Sequence, residues 1–161
     1  ACVRVPVQSA DDTCKMHKRR IDILEPIVVQ LNISAYDYLC KEIRHELAEA
    51  YRDMLELKIY QVDGGSKKIK WEKLAELADG GIRNFIEFLK LFVPTPSDPE
   101  GWTKPEVQGI GEEKVRRWYL LARFGLARCY LKRPDADIGK RRKSLKQAMV
   151  EYQRLVELVK K

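Results

Sequence analysis

The sequence predicts an all-α chain of about five long helices arranged as antiparallel pairs. Two observations carry that expectation. Five segments place apolar residues at helical 3/4 spacing, and none alternates with the period of two that a half-buried strand shows. Cap and stop residues stand where those segments begin and end. With 45% apolar and 34% charged residues over 161 positions, the chain can build a core and is not a disordered tail.

The first segment runs from about Ser9 to Leu31. Ser9 is a candidate cap, and Asp11 and Asp12 stand in the opening turn, where the helix dipole favours negative charge. Its apolar stripe is His17, Ile21, Leu24, Val28 and Leu31, with His17 expected as a hydrogen-bonded core residue. Pro26 has no N–H to give to the Asp22 carbonyl, so a kink or break is expected there. The second segment, about Ala35 to Val62, opens on Ser34-Ala35-Tyr36-Asp37, a capping-box-like start. It carries Leu39, Ile43, Leu47, Ala50, Tyr51, Met54 and Leu57 before Asp63-Gly64-Gly65 stops it. The gap that follows is so short that the next helix should return antiparallel.

The third segment runs from about Lys67 to Val93, with Leu74, Leu77, Gly81, Phe85, Phe88 and Phe92 on one side. Gly80-Gly81 lies in its middle at a propensity cost of roughly 1 kcal/mol per Gly. That pair implies a close helix approach or a local bend. Pro94 to Gly111 (residues 94–111), with four Pro, three Gly and Trp102, reads as an extended surface loop. The fourth segment, Glu112 to Arg133, begins with two acids and ends with two bases, matching the dipole at both ends. The fifth, about Ala136 to Lys161, carries Ile138, Leu145, Met149, Tyr152, Val156 and Val159 as its regular apolar stripe. The whole of 1–161 reads as one helical domain.

Charge and cysteine bound the function classes. Lys and Arg number 31 against 24 Asp and Glu, for a formal net charge of +7. The excess gathers at Lys15, Lys18, Arg19 and Arg20, at Lys67, Lys68 and Lys70, and at Lys140-Arg141-Arg142-Lys143 with Lys146. Such clusters attract nucleic acid, acidic protein or anionic lipid, or are simply solvated helix faces. The aromatic and glycine residues that nucleic-acid modules interleave with their cations are missing. A basic helical-repeat module binding nucleic acid or another anionic surface through 140–146 is therefore the second reading, not the first. No apolar run approaches the roughly 18–20 residues of a membrane span. Cys2, Cys14, Cys40 and Cys129 are irregularly spaced without a CxxC, as expected of reduced thiols in the cytosol. The absence of an initiator Met and of a signal peptide leads us to expect a piece of a longer intracellular protein.

No catalytic or metal-binding set emerges. Asp63-Gly64-Gly65-Ser66-Lys67-Lys68 lacks the spacing of a phosphate loop, and Gly109-Ile110-Gly111 lacks the third Gly of a dinucleotide site. Cys14 and His17 could share a metal, but Cys40 and His45 are five apart and diverge by roughly 140° around a helix. Two His in all make Ser-His-Asp or Cys-His sets implausible. We expect no enzyme and no cofactor.

An internal repeat is more informative. Leu47-Ala48-Glu49-Ala50-Tyr51 and Leu126-Ala127-Arg128-Cys129-Tyr130 both read Leu-Ala-x-x-Tyr. Each is followed by a helix carrying a small residue four before an aromatic, Gly81 with Phe85 and Ala148 with Tyr152. A small residue lets a partner helix approach, and an aromatic one turn along fills the space beside it. The pattern resembles the tetratricopeptide repeat and implies a tetratricopeptide-like right-handed α-solenoid. The match departs from that repeat at Arg44 and Arg123, where a Trp is expected, and in its longer A-to-B spacing. The first segment would be the second helix of a preceding pair, stacked on more of its own chain.

A more specific resemblance lies in Cys14-Lys-Met-His-Lys-Arg-Arg-Ile-Asp-Ile-Leu-Glu-Pro26 and His45-Glu-Leu-Ala-Glu-Ala-Tyr-Arg-Asp-Met-Leu-Glu-Leu-Lys58. Asn84-Phe-Ile-Glu-Phe-Leu89 and Ala122-Arg-Phe-Gly-Leu-Ala-Arg-Cys-Tyr130 are compatible with it. Together they resemble the C-terminal part of the KIF-binding proteins, a kinesin-binding tetratricopeptide family. The resemblance implies a cytoplasmic, cytoskeleton-associated scaffold that binds kinesin motor domains and keeps them off microtubules. It implies no chemistry by the binder. Carrying the repeat's groove positions onto the two Leu-Ala-x-x-Tyr units picks Glu42, His45, Glu49, Arg52 and Asp53, and then Phe124, Arg128 and Lys132. The first set is net acidic, which suits a basic motor face.

Overall fold

The computed structural model describes residues 9–93, 97–104, 107 and 109–160. Five helices follow one another: α1 (Ala10–Gln30), α2 (Asp37–Asp63), α3 (Trp71–Lys90), α4 (Glu113–Lys132) and α5 (Ile138–Lys160). A 3-10 turn, Gly101–Thr103, lies in the connection between α3 and α4. No strand occurs among the described residues.

The boundaries follow local chemistry. Ser9 caps α1, its Oγ accepting the Asp12 N–H at 3.2 Å. The break expected at Pro26 does not occur. Asp22 and Pro26 both face solvent, so a carbonyl left without its helical donor there is not stranded in the core. Ser34 does not cap α2; Asn32 organises the turn before it, its Oδ1 accepting the Ala35 N–H at 3.3 Å. At the other end Gly65 takes φ +71°, a conformation that suits glycine. The Gly65 N–H then donates to the Val62 carbonyl and the Ser66 N–H to the Gln61 carbonyl, a Schellman stop. Lys67 to Lys70 lie outside α3, which begins four residues later than the periodicity suggests. Asp137 opens α5 by accepting the Lys140 N–H at 2.8 Å.

Cross-helix partners fix the topology. Asp11 meets Gln61 while Arg20 meets Glu46, so α1 and α2 run antiparallel. Lys41 sits over Phe92, and a Cβ on Gly80 would meet Tyr51, so α2 and α3 do the same. Phe85 with Gly125 and Asp79 with Arg133 reverse α4 on α3, and Ser144 with Tyr130 and Arg123 with Glu151 reverse α5 on α4. Helices α2 and α4 are therefore parallel and in direct contact, whereas α1, α3 and α5 do not touch one another at the backbone. One layer is close-set and the other splayed, which bends the array toward the α2–α4 side.

Two apolar clusters fill the pairs. One joins Ile21, Val28, Leu47, Met54, Leu55 and Leu77 from α1, α2 and α3. The other joins Phe85, Phe88, Leu89, Tyr119, Leu126 and Leu158 from α3, α4 and α5, with Trp102, Val107 and Ile110 packed against it. The described part of the 94–111 connection is thus laid on the core; residues 94–96, 105, 106 and 108 lie outside the described residues. The Gly pair in α3 marks close approach on two sides. A Cβ on Gly81 would stand 2.6 Å from Cys129 Sγ, and one on Gly125 would stand 2.7 Å from Phe85 Cε2.

Both arginines at the positions where the repeat expects Trp point inward. Arg44 donates to Asn84 Oδ1 at 2.8 Å, and Asn84 in turn donates to the Gly80 carbonyl at 2.8 Å. Arg123, fully buried, donates to the Trp102 carbonyl and to Tyr119 Oη at 3.0 Å, and lies 3.6 Å from the equally buried Glu151. That pair turns α5 by one residue, about 100°, from the expected orientation, and leaves Leu145 and Tyr152 of the predicted stripe half-buried. Its buried face is Ser144, Ala148, Glu151 and Leu158, while Ile138, Met149, Val156 and Val159 of the predicted stripe are exposed. Ser144 Oγ donates to the Tyr130 carbonyl and Glu151 answers Arg123, so polar partners on α4 select the face.

Cys14, Cys40 and Cys129 are buried free thiols; Cys2 lies outside the described residues. No three His, Cys, Asp or Glu side chains converge on a common point among the described residues. No helix among them is long and apolar enough to cross a membrane.

Candidate protein-interaction face

On α2, His45, Glu49, Arg52 and Glu56 recur at steps of four, three and four, which aligns them along one face. Parallel packing sets that face against Trp118 and Arg128 of α4. At one end the His45 ring stacks on Trp118, centroids 5.7 Å apart and planes 20° apart, with Phe88 of α3 at 5.3 Å on another side. Tyr38 extends the aromatic row, 5.7 Å from Trp118. At the other end Arg128 Nε donates to Glu56 Oε1 at 2.8 Å.

The middle of this strip is electrostatically self-contained. Arg52 Nη2 lies 2.6 Å from Glu49 Oε2 and 3.2 Å from Asp53 Oδ1. Burial drives the Glu49 carboxyl up to about 7, against the lowering pull of Arg52. Burial likewise drives His45 down to about 4. His45 Nε2 and Glu49 Oε1 are 3.6 Å apart, so between those values the two face each other as neutral groups. The Glu56 carboxylate beside Arg128 holds the guanidinium above its ordinary value.

The predicted residues thus divide. His45 is buried against Trp118 of α4, while Glu49 and Arg52 are mostly covered and pair with each other along α2. Arg128 crosses the seam to Glu56. Glu42 and Asp53 are half-exposed on α2, with Asp53 also held by Arg52. Phe124 is exposed on α4, its ring 6.2 Å from Tyr152. Lys132 lies apart at the end of α4, beside Ile59, Leu74 and Arg141. Sequence reasoning did not select Glu56 and Trp118. Glu56 was within reach, since it continues the spacing of Glu42, His45, Glu49 and Asp53 by one more turn.

The basic run on α5 also divides. Arg141 donates to the Arg133 and Leu131 carbonyls at 2.7 and 2.8 Å, closing the C-terminal turn of α4. Lys140, Arg142, Lys143 and Lys146 stay exposed.

A family model described as KIF-1 binding protein C terminal matches residues 8–161. The chain belongs to the KIF-binding protein family. It is 33% identical to the KIF-binding protein of Gallus gallus over 154 residues, covering 92% of this chain and 24% of that relative. The Rattus norvegicus KIF-binding protein is 35% identical over 148 residues, 89% of this chain and 22% of the relative. The Homo sapiens KIF-binding protein is 33% identical over 148 residues, 92% and 23% respectively. The chain therefore spans about a quarter of the length of these relatives. No solved structure matches it.

Proposed function

We propose that this chain is a protein-interaction scaffold within a cytoplasmic, cytoskeleton-associated KIF-binding protein. Its α2–α4 face contacts a kinesin motor domain and keeps it off microtubules. The observation that carries this reading is the parallel, close-set α2–α4 pair. It offers a strip with Glu42, Asp53 and Phe124 accessible at its margins, while the His45–Trp118 stack and the Glu56–Arg128 pair hold the two helices in register. Inhibition is steric: a motor face occupied by the scaffold is not available to tubulin. A face that binds acidic tubulin is itself basic, so the contact depends on local acids rather than on the +7 net charge of the chain.

Two outward apolar faces support a second part of the proposal, stacking within a longer solenoid. Met16, Ile23 and Ile27 are exposed along α1, and Met149, Val156 and Val159 along α5. Helix-pair arrays cover such faces with the neighbouring unit. Stacking of α1 on the rest of its own chain follows from that rule.

The test is co-sedimentation of a kinesin motor domain with microtubules under increasing amounts of the 161-residue chain and, in parallel, of the whole protein. Release of the motor by the chain supports a binding surface within these residues. Release by the whole protein alone reduces this part to structural support.

A further inference from the structure

The two basic clusters nearest the N-terminal half of the sequence, about 50 residues apart, are brought to one place by the antiparallel packing of α1 and α2. Lys67 reaches from the turn after α2 to Asp11 on α1 and closes one end of a cleft of about 560 Å³ between the helices. Lys15, Lys18, Arg19 and Lys58 line its walls, and Cys14 and Met54 form an apolar floor. On α2 this is the opposite side from the α2–α4 seam. Met54 stands nine residues after His45 and Lys58 nine after Glu49, which places each roughly 180° around the helix.

The charge in the cleft is not balanced from within. Asp11 is the one acid in its wall among the described residues, and it is already occupied by Lys67 and by Gln61 Nε2 at 3.0 Å. Those two partners hold its carboxyl below the ordinary value. Lys18 leans away to Asp22 at 3.2 Å on the outer side of α1. Among the described residues no carboxylate lies within salt-bridge distance of Lys15, Arg19 or Lys58, though the three surround one opening.

We infer that the α1–α2 cleft is a docking site for an acidic protein segment, whose carboxylates pair with Lys15, Arg19 and Lys58 and whose single apolar side chain rests on Met54. The dimensions set the length of the segment. Residues 11 to 19 of α1 rise about 12 Å, which matches three or four extended residues. The cations sit on both walls, so carboxylates flanking a central apolar residue reach both sides at once. Nucleic acid fits less well. The cleft wall presents no aromatic ring on which a base could stack, and an opening between two packed helices does not admit a duplex.

The experiment is fluorescence anisotropy of the 161-residue chain with a labelled probe peptide, one leucine flanked on each side by two glutamates, at 50 mM and 300 mM salt. Binding at low salt that weakens at least tenfold at high salt is expected, and replacing the four glutamates by glutamines should abolish it. Lys15→Glu with Arg19→Glu, both exposed on α1, should weaken binding at least tenfold with an unchanged circular dichroism spectrum. Lys58→Gln should weaken it several-fold by removing the opposite wall. Lys140→Glu with Lys143→Glu, on the α5 run, should leave it unchanged. Equal losses from the α1 and α5 pairs would show undirected charge attraction and overturn the assignment, as would no binding at low salt. Tighter binding of a four-charge oligonucleotide or of phosphatidylserine vesicles than of the peptide would overturn it as well.

Discussion

Gly80 and Tyr51 approach so closely that a Cβ on Gly80 would stand 2.5 Å from Tyr51 Cδ1. The ring cannot simply swing away, because Tyr51 Oη donates to Glu25 on α1 and pins it across three helices. Burial and that same carboxylate push the Tyr51 hydroxyl up to about 12, so it remains a donor throughout the working pH range. Gly80→Ala gains about 1 kcal/mol of helix propensity and loses about 1–3 kcal/mol to overpacking. We expect a net destabilisation of up to about 2 kcal/mol by urea unfolding. Adding Tyr51→Leu should cost less than the sum of the two single changes, because the clash is then already relieved. Strict additivity would show that the ring and the glycine are not coupled.

The buried Arg123–Glu151 pair makes a second, larger prediction. Each side chain is fully buried, and Arg123 also serves the Trp102 and Lys104 carbonyls. Glu151→Gln leaves the buried Arg123 without its carboxylate and should cost about 3–5 kcal/mol, whereas Arg123→Met leaves Glu151 held by Arg154 Nη1 at 2.5 Å and should cost less. Changing both to Met should cost less than either alone. Arg123→Met should in addition speed proteolysis near residues 98–104, because it releases the carbonyls that tie that stretch to α4. Unaltered cleavage there would remove Arg123 as its anchor.

These two sites show where sequence reading succeeds and where it stops. Helix existence is a local property: Ser9 ahead of two aspartates and the Gly64-Gly65 stop announce the ends of α1 and α2, and both hold. Close approach at Gly80-Gly81 is also local, since a glycine pair kept inside a helix asks for a spatial reason. His17 sits on its apolar stripe and is buried as expected, with Arg20 Nη1 3.1 Å from its Nδ1. The orientation of α5 is not local. Apolar periodicity points Met149, Val156 and Val159 inward, but a single buried arginine on α4 draws Glu151 in and turns that stripe outward. The α2–α4 strip fails for the same reason. Glu49, Arg52 and Arg128 look like a solvated row until the parallel pairing sets Glu56 beside Arg128, 72 residues away.

The covered His45 and Glu49 give opposite pH dependences that nearly cancel. Glu49 is raised to about 7 in the folded chain, so its contribution is complete below the ordinary carboxylate value and is lost as pH rises toward 7. His45 is lowered to about 4, so its contribution is complete above the ordinary imidazole value and is lost as pH falls toward 4. Across the window where both titrate their two slopes should nearly cancel, leaving the smaller rise with pH that the buried His17, also lowered, contributes. Glu49→Gln leaves the histidine alone and should make stability rise with pH between about 4 and 6.5, by at most about 1.4 kcal/mol per unit. His45→Phe, which retains a ring beside Trp118, should make it fall between about 4.5 and 7. Urea midpoints at half-unit pH steps read both slopes, and parallel slopes in the two variants would refute the pairing.

The proposed motor contact is tested at the acids that remain accessible. Glu49 is a poor choice for charge reversal, because a lysine there would be driven into the seam against Arg52 and the loss of binding would be a loss of structure. Glu42 and Asp53 are half-exposed and lie eleven residues apart on the same side of α2, three turns along one face. Glu42→Lys with Asp53→Lys should therefore keep the melting temperature within a few degrees while weakening kinesin motor binding by the whole protein about tenfold or more. Phe124→Ala should weaken it further, because an exposed aromatic beside charged residues serves as an interface anchor. The Lys140→Glu, Lys143→Glu pair is the matched control: it changes net charge by as much in the opposite direction on α5, and motor affinity should not fall. A folded Glu42→Lys, Asp53→Lys chain with undiminished affinity would move the contact off the α2–α4 face.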